Sequence, residues 1–191
     1  RATGAVSDLP ATSDVVQSSS PQPASVPAQA VDAKPGMKEQ HLVFQENQRG
    51  VSFDSLFGPY VAGASRLTIT DPYLRMFHQQ RNLMELLETV SKFNEPGHEV
   101  AVHVLTVEDE FSGEKQTENF QKMALACEGI GIAFTWEYDA SGTKHDRDIT
   151  TDQGWKIVLS RGLDVFQRYE LNEAFSFSNR LQQHRQCKEF N

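Results

Sequence analysis

Cysteine is scarce: Cys127 and Cys187 are the only two in 191 residues. Two thiols cannot build a disulfide framework or supply a four-ligand zinc site. The expectation is reduced cysteines in a cytoplasmic protein, with no metal and no cofactor. Long apolar runs are also missing, and none approaches the ~20 residues that a bilayer span takes. The first 36 residues contain no aromatic residue and no Ile, while Pro10, Pro21, Pro23, Pro27 and Pro35 interrupt them. A stretch of Ser, Pro, Ala, Gln and Val offers too little apolar area to offset the entropy of ordering it. Residues 1–40 therefore read as a disordered linker, partly extended by its prolines. Positive charge is in short supply as well: 18 Lys and Arg stand against 26 Asp and Glu, a net charge of −8. Non-specific polyanion binding rests on counterion release by a basic surface, so the charge argues against that function, whereas it leaves room for a small local basic pocket. The chain begins at Arg1 rather than Met and shows no signal-peptide pattern; the expectation is a piece of a longer protein.

What is present sits in residues 41–191, which hold every aromatic side chain. A domain of that size can bury roughly two thirds of its unfolded surface and needs no staple to fold. Ser52 is a candidate N-cap for a helical pattern through Phe53, Leu56, Phe57 and Tyr60. Arg66 to Thr70 reads as a strand that stops at Asp71-Pro72, because proline cannot continue a central ladder. A helix is predicted over 75–93, with Leu83, Leu86, Leu87, Val90 and Phe93 on one face and Pro96-Gly97 as its stop. Val100, Val102, Val104 and Leu105 suit a buried parallel strand. A second long helix is predicted over 114–128, turned off by Gly129 and Gly131. A strand follows over 132–138, then a loop over 139–144. An antiparallel pair spans 149–151 and 155–159 across Asp152-Gln153-Gly154. Arg161 to Phe166 reads as a turn or short helix, and 170–191 shows no pattern. Strands alternating with helices place the chain in the α/β class, with a mixed sheet covered by helices.

One constellation carries chemistry. His145, Arg147 and Asp152 stand at the spacing His-x-Arg-x4-Asp. Residues i and i+2 of a strand share a face, so His145 and Arg147 would project together, and an Arg fork matches phosphate oxygens in a bidentate way. The bland reading is a surface salt-bridged turn. The spacing resembles the His-x-Lys-x4-Asp motif of the phospholipase D superfamily, where His is the nucleophile and two copies of the motif are required. Here Arg replaces Lys and one copy is present, so turnover would need a homodimer that pairs two His145 side chains.

The context extends that likeness. The blocks Gly50-Val51-Ser52-Phe53-Asp54-Ser55-Leu56-Phe57, Ile69-Thr70-Asp71-Pro72-Tyr73-Leu74-Arg75, His103-Val104-Leu105-Thr106, His145-Asp146-Arg147-Asp148-Ile149, Gly154-Trp155-Lys156-Ile157 and Ser160-Arg161-Gly162-Leu163-Asp164-Val165-Phe166 occur in that order. Together they resemble the C-terminal domain of MIT-domain-containing proteins, whose MIT domain binds ESCRT-III tails. The resemblance implies a phospholipase-D-like fold without catalysis, binding to acidic phospholipid membranes, and dimers. It implies site residues Asp71, Tyr73, Arg75, His145, Asp146, Arg147, Trp155, Arg161 and Asp164. No MIT helical hairpin precedes the domain, which instead follows a Ser/Pro/Ala tether. Related domains also end bacterial Lon-like AAA+ proteins, including those of BREX phage-defence systems. The implied partners are a phosphate-bearing ligand (a phospholipid headgroup or nucleic acid) or a protein, a second copy of the chain, and upstream Lon-like AAA+ domains. The acidic loop Glu108-Asp109-Glu110 would repel an anionic membrane.

Overall fold

The computed structural model describes residues 37–141 and 145–189. The expected linker therefore lies outside the described residues, except for its last four. Among the described residues of that stretch, the Lys38 carbonyl accepts the Tyr60 hydroxyl at 3.3 Å.

Ser52 caps the first helix: its Oγ accepts the Ser55 N–H, and the Ser55 hydroxyl accepts the Ser52 N–H, both at 3.2 Å. The helix is shorter than the apolar spacing predicts, and splits into α1, Phe53–Leu56, and α2, Gly58–Val61. Gly58-Pro59 cause the break, since Pro59 lacks the N–H that would continue the ladder. Gly58 is also sterically required, because a Cβ there would run into the Phe93 ring.

Five strands form one sheet in the order β3-β2-β1-β4-β5. β1 (Arg66–Thr70), β2 (Val100–Thr106) and β3 (Ile132–Tyr138) are mutually parallel, and joined by α3 (Phe77–Phe93) and α4 (Gly113–Cys127). β4 (Asp148–Thr151) returns to the free side of β1 and runs antiparallel to it, with Thr70 opposite Asp148. β5 (Lys156–Val158) pairs antiparallel with β4 across a turn in which Gly154 has φ +88°.

Burial follows the period of two that a strand imposes. Leu67 and Ile69 of β1, Val100, Val102 and Val104 of β2, and Ile132 and Phe134 of β3 point to one face and are buried. Leu83, Leu86, Leu87 and Val90 of α3 and Phe120 and Cys127 of α4 complete the same core. Phe120 lies 5.7 Å from the Trp136 ring centroid and 6.4 Å from that of Phe134. Full burial of each such side chain stabilises by about 1.5–3 kcal/mol. The other face stays open: Thr68, Thr70, His103, Leu105, Thr135 and Thr150 are half-buried or exposed. β2 is thus buried on alternate residues rather than on both faces, which corrects the reading of its apolar run. The helices cover one face of the sheet.

The segment after β5 returns beneath α1 and α3. Residues 161–166 form a turn, α5 spans Phe177–Arg180, and a single 3-10 turn spans Gln182–His184. Phe166 bridges Cys187, and Arg185 makes a bidentate pair with Glu85 of α3, at 2.6 and 2.9 Å. No helix among the described residues is long and apolar enough to cross a membrane.

Candidate functional site at the carboxyl end of the first strand

The strand order reverses at β1: the chain leaves it toward β2 and comes back on its other side as β4. Open α/β sheets place ligands at the carboxyl ends of strands at such a point. Asp71 directly follows β1, and its N–H donates to the Leu105 carbonyl at 3.0 Å. The Asp71 carboxylate accepts the Tyr73 N–H at 2.9 Å and the backbone N–H of Leu163. Carrying the Thr70–Asp148 register one step further sets Arg147 opposite Asp71.

Arg147 is held from two sides. Its guanidinium carbon lies 4.0 Å from the Tyr73 ring centroid, a cation–π contact, and its Nη1 donates to the Ser160 carbonyl at 3.1 Å. The turn that supplies Ser160 and Leu163 packs tightly on both side chains. Gly162 has φ +61°, and a Cβ there would collide with the Asp71 carboxylate and meet Arg147 Cδ at 3.4 Å. Both the backbone angle and the lack of space require glycine. Behind the turn, Asp164 pairs with Lys188 at 2.5 Å.

Burial pushes the Asp71 carboxyl above its ordinary range, and the Tyr73 N–H, the Arg147 charge and the Leu163 N–H oppose that rise. Asp71 thus acts as the buried tie between the end of β1 and the 160–164 turn, and the Arg147 charge acts on it from nearby. His145, Asp146 and Arg161 are exposed around this end, and Arg75 lies beyond Tyr73, with its Nε donating to the Pro72 carbonyl at 3.3 Å.

Asp152 and Trp155 lie elsewhere. The four residues between Arg147 and Asp152 are β4 itself, so at the rise of a strand the two ends stand ~16 Å apart. Asp152 accepts the Ser65 N–H with both carboxylate oxygens at 3.2 Å, at the start of β1. Trp155 packs edge-on against Tyr60, with ring centroids 5.1 Å apart. The structure therefore gathers Asp71, Tyr73 and Arg147, with His145 and Arg161 on neighbouring backbone, and separates Asp152 and Trp155 from them. Ser160, Leu163 and Lys188 are the partners that sequence reasoning missed. Two act through backbone groups, which no side-chain pattern announces; Gly162 was the available signal.

The arrangement can hold an anion. A guanidinium has five N–H donors, and the Ser160 carbonyl takes one of Arg147's. Among the described residues no cluster of three or more His, Cys, Asp and Glu side chains could hold a metal ion.

A family described as the phospholipase D-like domain at the C-terminus of MIT matches residues 50–191. Mouse MIT domain-containing protein 1 is 30% identical over 135 residues, which is 70% of this chain and 53% of that protein. The chain thus spans about half the length of this curated relative. With its mixed sheet, its helices and this match over most of its length, the chain belongs to the family of phospholipase-D-like domains found at the C-terminus of MIT proteins.

Proposed function

We propose that this domain is a binding module that holds a phosphate-bearing group through Arg147, with His145 and Arg161 at the rim, and does not turn it over. The observation that carries this reading is the fixing of Arg147 by the Tyr73 ring and the Ser160 carbonyl at the carboxyl end of β1. A guanidinium held in place before the ligand arrives loses little freedom on binding, which favours affinity. One imidazole cannot serve as nucleophile and general acid in the same step, and the sequence repeats the His-x-Arg-x4-Asp spacing nowhere else. As an accessory domain, the module would deliver its ligand to the larger cytoplasmic machine that carries it, which we take to be Lon-like and ATP-dependent.

The phosphate can come from a soluble molecule or from a lipid headgroup. Four exposed apolar side chains follow the ends of β1 and β2: Tyr73 (40% exposed), Met76 (58%), Phe77 (63%) and Phe111 (96%). They favour a lipid source, whereas Glu108, Asp109 and Glu110, on the loop that carries Phe111, oppose an anionic surface. Calorimetry on the full chain with inositol phosphate, a short DNA duplex, and phosphatidylcholine vesicles with or without phosphoinositide separates these sources. Arg147→Ala should weaken whichever binds while the circular dichroism spectrum is kept. Hydrolysis of bis-p-nitrophenyl phosphate that is lost in His145→Ala would replace the binding reading with a dimeric phosphodiesterase.

A further inference from the structure

We propose that the furrow between α3 and α4 is a docking site for a short amphipathic helix of a partner protein, one that carries carboxylates along the flanks of its apolar stripe.

The furrow has a volume of about 280 Å³. Phe77, Met84 and Met123 give it an apolar lining, with Arg81 on the α3 rim and Lys122 on the α4 rim. Helical spacing accounts for this set. Phe77, Arg81 and Met84 stand at i, i+4 and i+7 along α3, and Asn119, Lys122 and Ala126 at i, i+3 and i+7 along α4, so each helix turns one stripe toward the furrow. The borders 77–84 and 119–126 are each roughly 11 Å long, or about two helical turns. That is the shape into which the side-chain ridge of a third helix packs, with its anchors one turn apart.

The floor is already built. Asn119 Nδ2 donates to Gln80 Oε1 at 2.6 Å, from one helix to the other, and Gln80 Nε2 donates in turn to the Arg75 carbonyl at 2.8 Å. These bonds tie α3 to α4 before a partner arrives, which lowers the cost of ordering on binding. The walls, by contrast, leave apolar surface in water, since Phe77 is 63% exposed. Aromatic, Met and Arg side chains are the ones enriched where proteins meet, and thioethers adapt to the partner they receive.

Charge selects the helix. The chain as a whole carries −8, yet the furrow is lined by two cations and no carboxylate. Neither cation is neutralised. Arg81 reaches Glu85 only through Nε, at 3.8 Å, and both oxygens of that carboxylate are held by Arg185 at 2.6 and 2.9 Å. Lys122 forms no ion pair among the described residues, and Glu118, one turn before it, is held by Lys115 at 2.7 Å. Each of these carboxylates faces two cations and leaves one positive charge over. Glu88 stands one turn beyond Met84 on α3, past the end of the furrow, so an acidic residue is favoured beside Arg81 and Lys122 and disfavoured there. Opposed charges of this kind fix register and reject wrong partners.

The test is fluorescence anisotropy on the full chain. The probes are Ala-rich dodecapeptides with Leu at i, i+4 and i+7 and Glu on both flanks of that stripe, and a matched set with Lys in place of Glu. The acidic set should bind saturably, and the Lys set about tenfold or more weaker. Lys122 is exposed, so Lys122→Glu should keep the fold and invert the preference. Ala126→Trp fills the furrow without changing its charge, and should weaken both sets by about tenfold. Sulfate binding at Arg147 and the circular dichroism spectrum should be kept in both variants, which separates this site from the anion site. Equal binding of the two sets, indifference to both substitutions, or no binding at millimolar peptide would overturn the proposal. So would a sedimenting dimer that Lys122→Glu dissociates, which would give the furrow to a second copy, or displacement of the acidic peptide by phosphatidylcholine vesicles, which would give it to a membrane.

Discussion

Replacing Arg185 by Ala should detach the irregular C-terminal segment from the core of the domain. The Arg185 side chain is 4% exposed, and the Glu85 carboxylate that it grips is 12% exposed. Both oxygens of Glu85 receive guanidinium N–H groups, at 2.6 and 2.9 Å, while Arg185 Nε donates to the Ser178 carbonyl at 2.6 Å. The guanidinium carbon also lies 4.2 Å from the centroid of the Tyr169 ring. Removing the cation leaves Glu85 with Gln182 Nε2 at 2.8 Å, the Tyr169 hydroxyl at 3.5 Å and Arg81 Nε at 3.8 Å. Breaking one half of a buried pair costs about 3–5 kcal/mol, a large part of the 5–15 kcal/mol that holds a typical domain. At roughly 2–4 °C per kcal/mol for a chain of this size, the melting temperature should fall by about 6–20 °C. Urea unfolding followed by circular dichroism reads the loss directly. The double variant Arg185→Met/Glu85→Leu should recover most of it, because replacing both partners by apolar groups is often neutral or stabilising. A loss under about 1 kcal/mol in Arg185→Ala would refute the reasoning and reduce the pair to a surface contact.

Three further outcomes follow from the same geometry. Gly162→Ala meets both a positive φ and the Asp71 carboxylate, and should cost about 1–3 kcal/mol in urea unfolding while loosening anion binding at Arg147. For Asp54, burial alone would raise the carboxyl, but the Thr89 hydroxyl at 2.6 Å and Lys92 at 3.0 Å overcome it and hold the group below its ordinary range. The folded state then binds fewer protons than the unfolded one, so this stability is present above the ordinary carboxyl pKa and is lost as pH falls through the folded value. Asp54→Asn should therefore destabilise at pH 7 by under about 1 kcal/mol, with the gap closing on acidification. Burial raises the thiols of Cys127 and Cys187, so both should resist Ellman's reagent in the native chain and react on unfolding.

Much of the frame was legible because local chemistry and tertiary demand agree. β1 runs over Arg66–Thr70 as its alternation and the Asp71-Pro72 stop predict, and β3 over Ile132–Tyr138 likewise. The misreadings arise where a distant contact decides. The split between α1 and α2 depends on Phe93, across the interface with α3. The outward set of β2 is visible only when one knows that no described helix lies over His103 and Leu105. The stretch 170–191 shows no periodicity in sequence, and its described part, 170–189, is tied to the core by an ion pair spanning 100 residues, Arg185 to Glu85. At the site, Asp71, Tyr73 and Arg147 could be read from sequence through the family resemblance. The Ser160 carbonyl and the Leu163 N–H could not, since any residue type supplies them. Asp152 was grouped with His145 by spacing alone, and spacing does not show that β4 lies between them.

The central claim, an anion site organised by Arg147, is tested most directly by heteronuclear NMR on the full chain titrated with sulfate. The sulfate charge stays constant across the working range, so the pH dependence reports on the protein. Saturable shifts at Tyr73, Arg147 and Gly162 are expected, abolished in Arg147→Ala and weakened in Arg147→Lys, which cannot form a bidentate contact. Binding should tighten as pH falls, because protonation of Asp71 removes a neighbouring negative charge. Resonances that stay still, or shifts that persist unchanged in Arg147→Ala, would contradict the account.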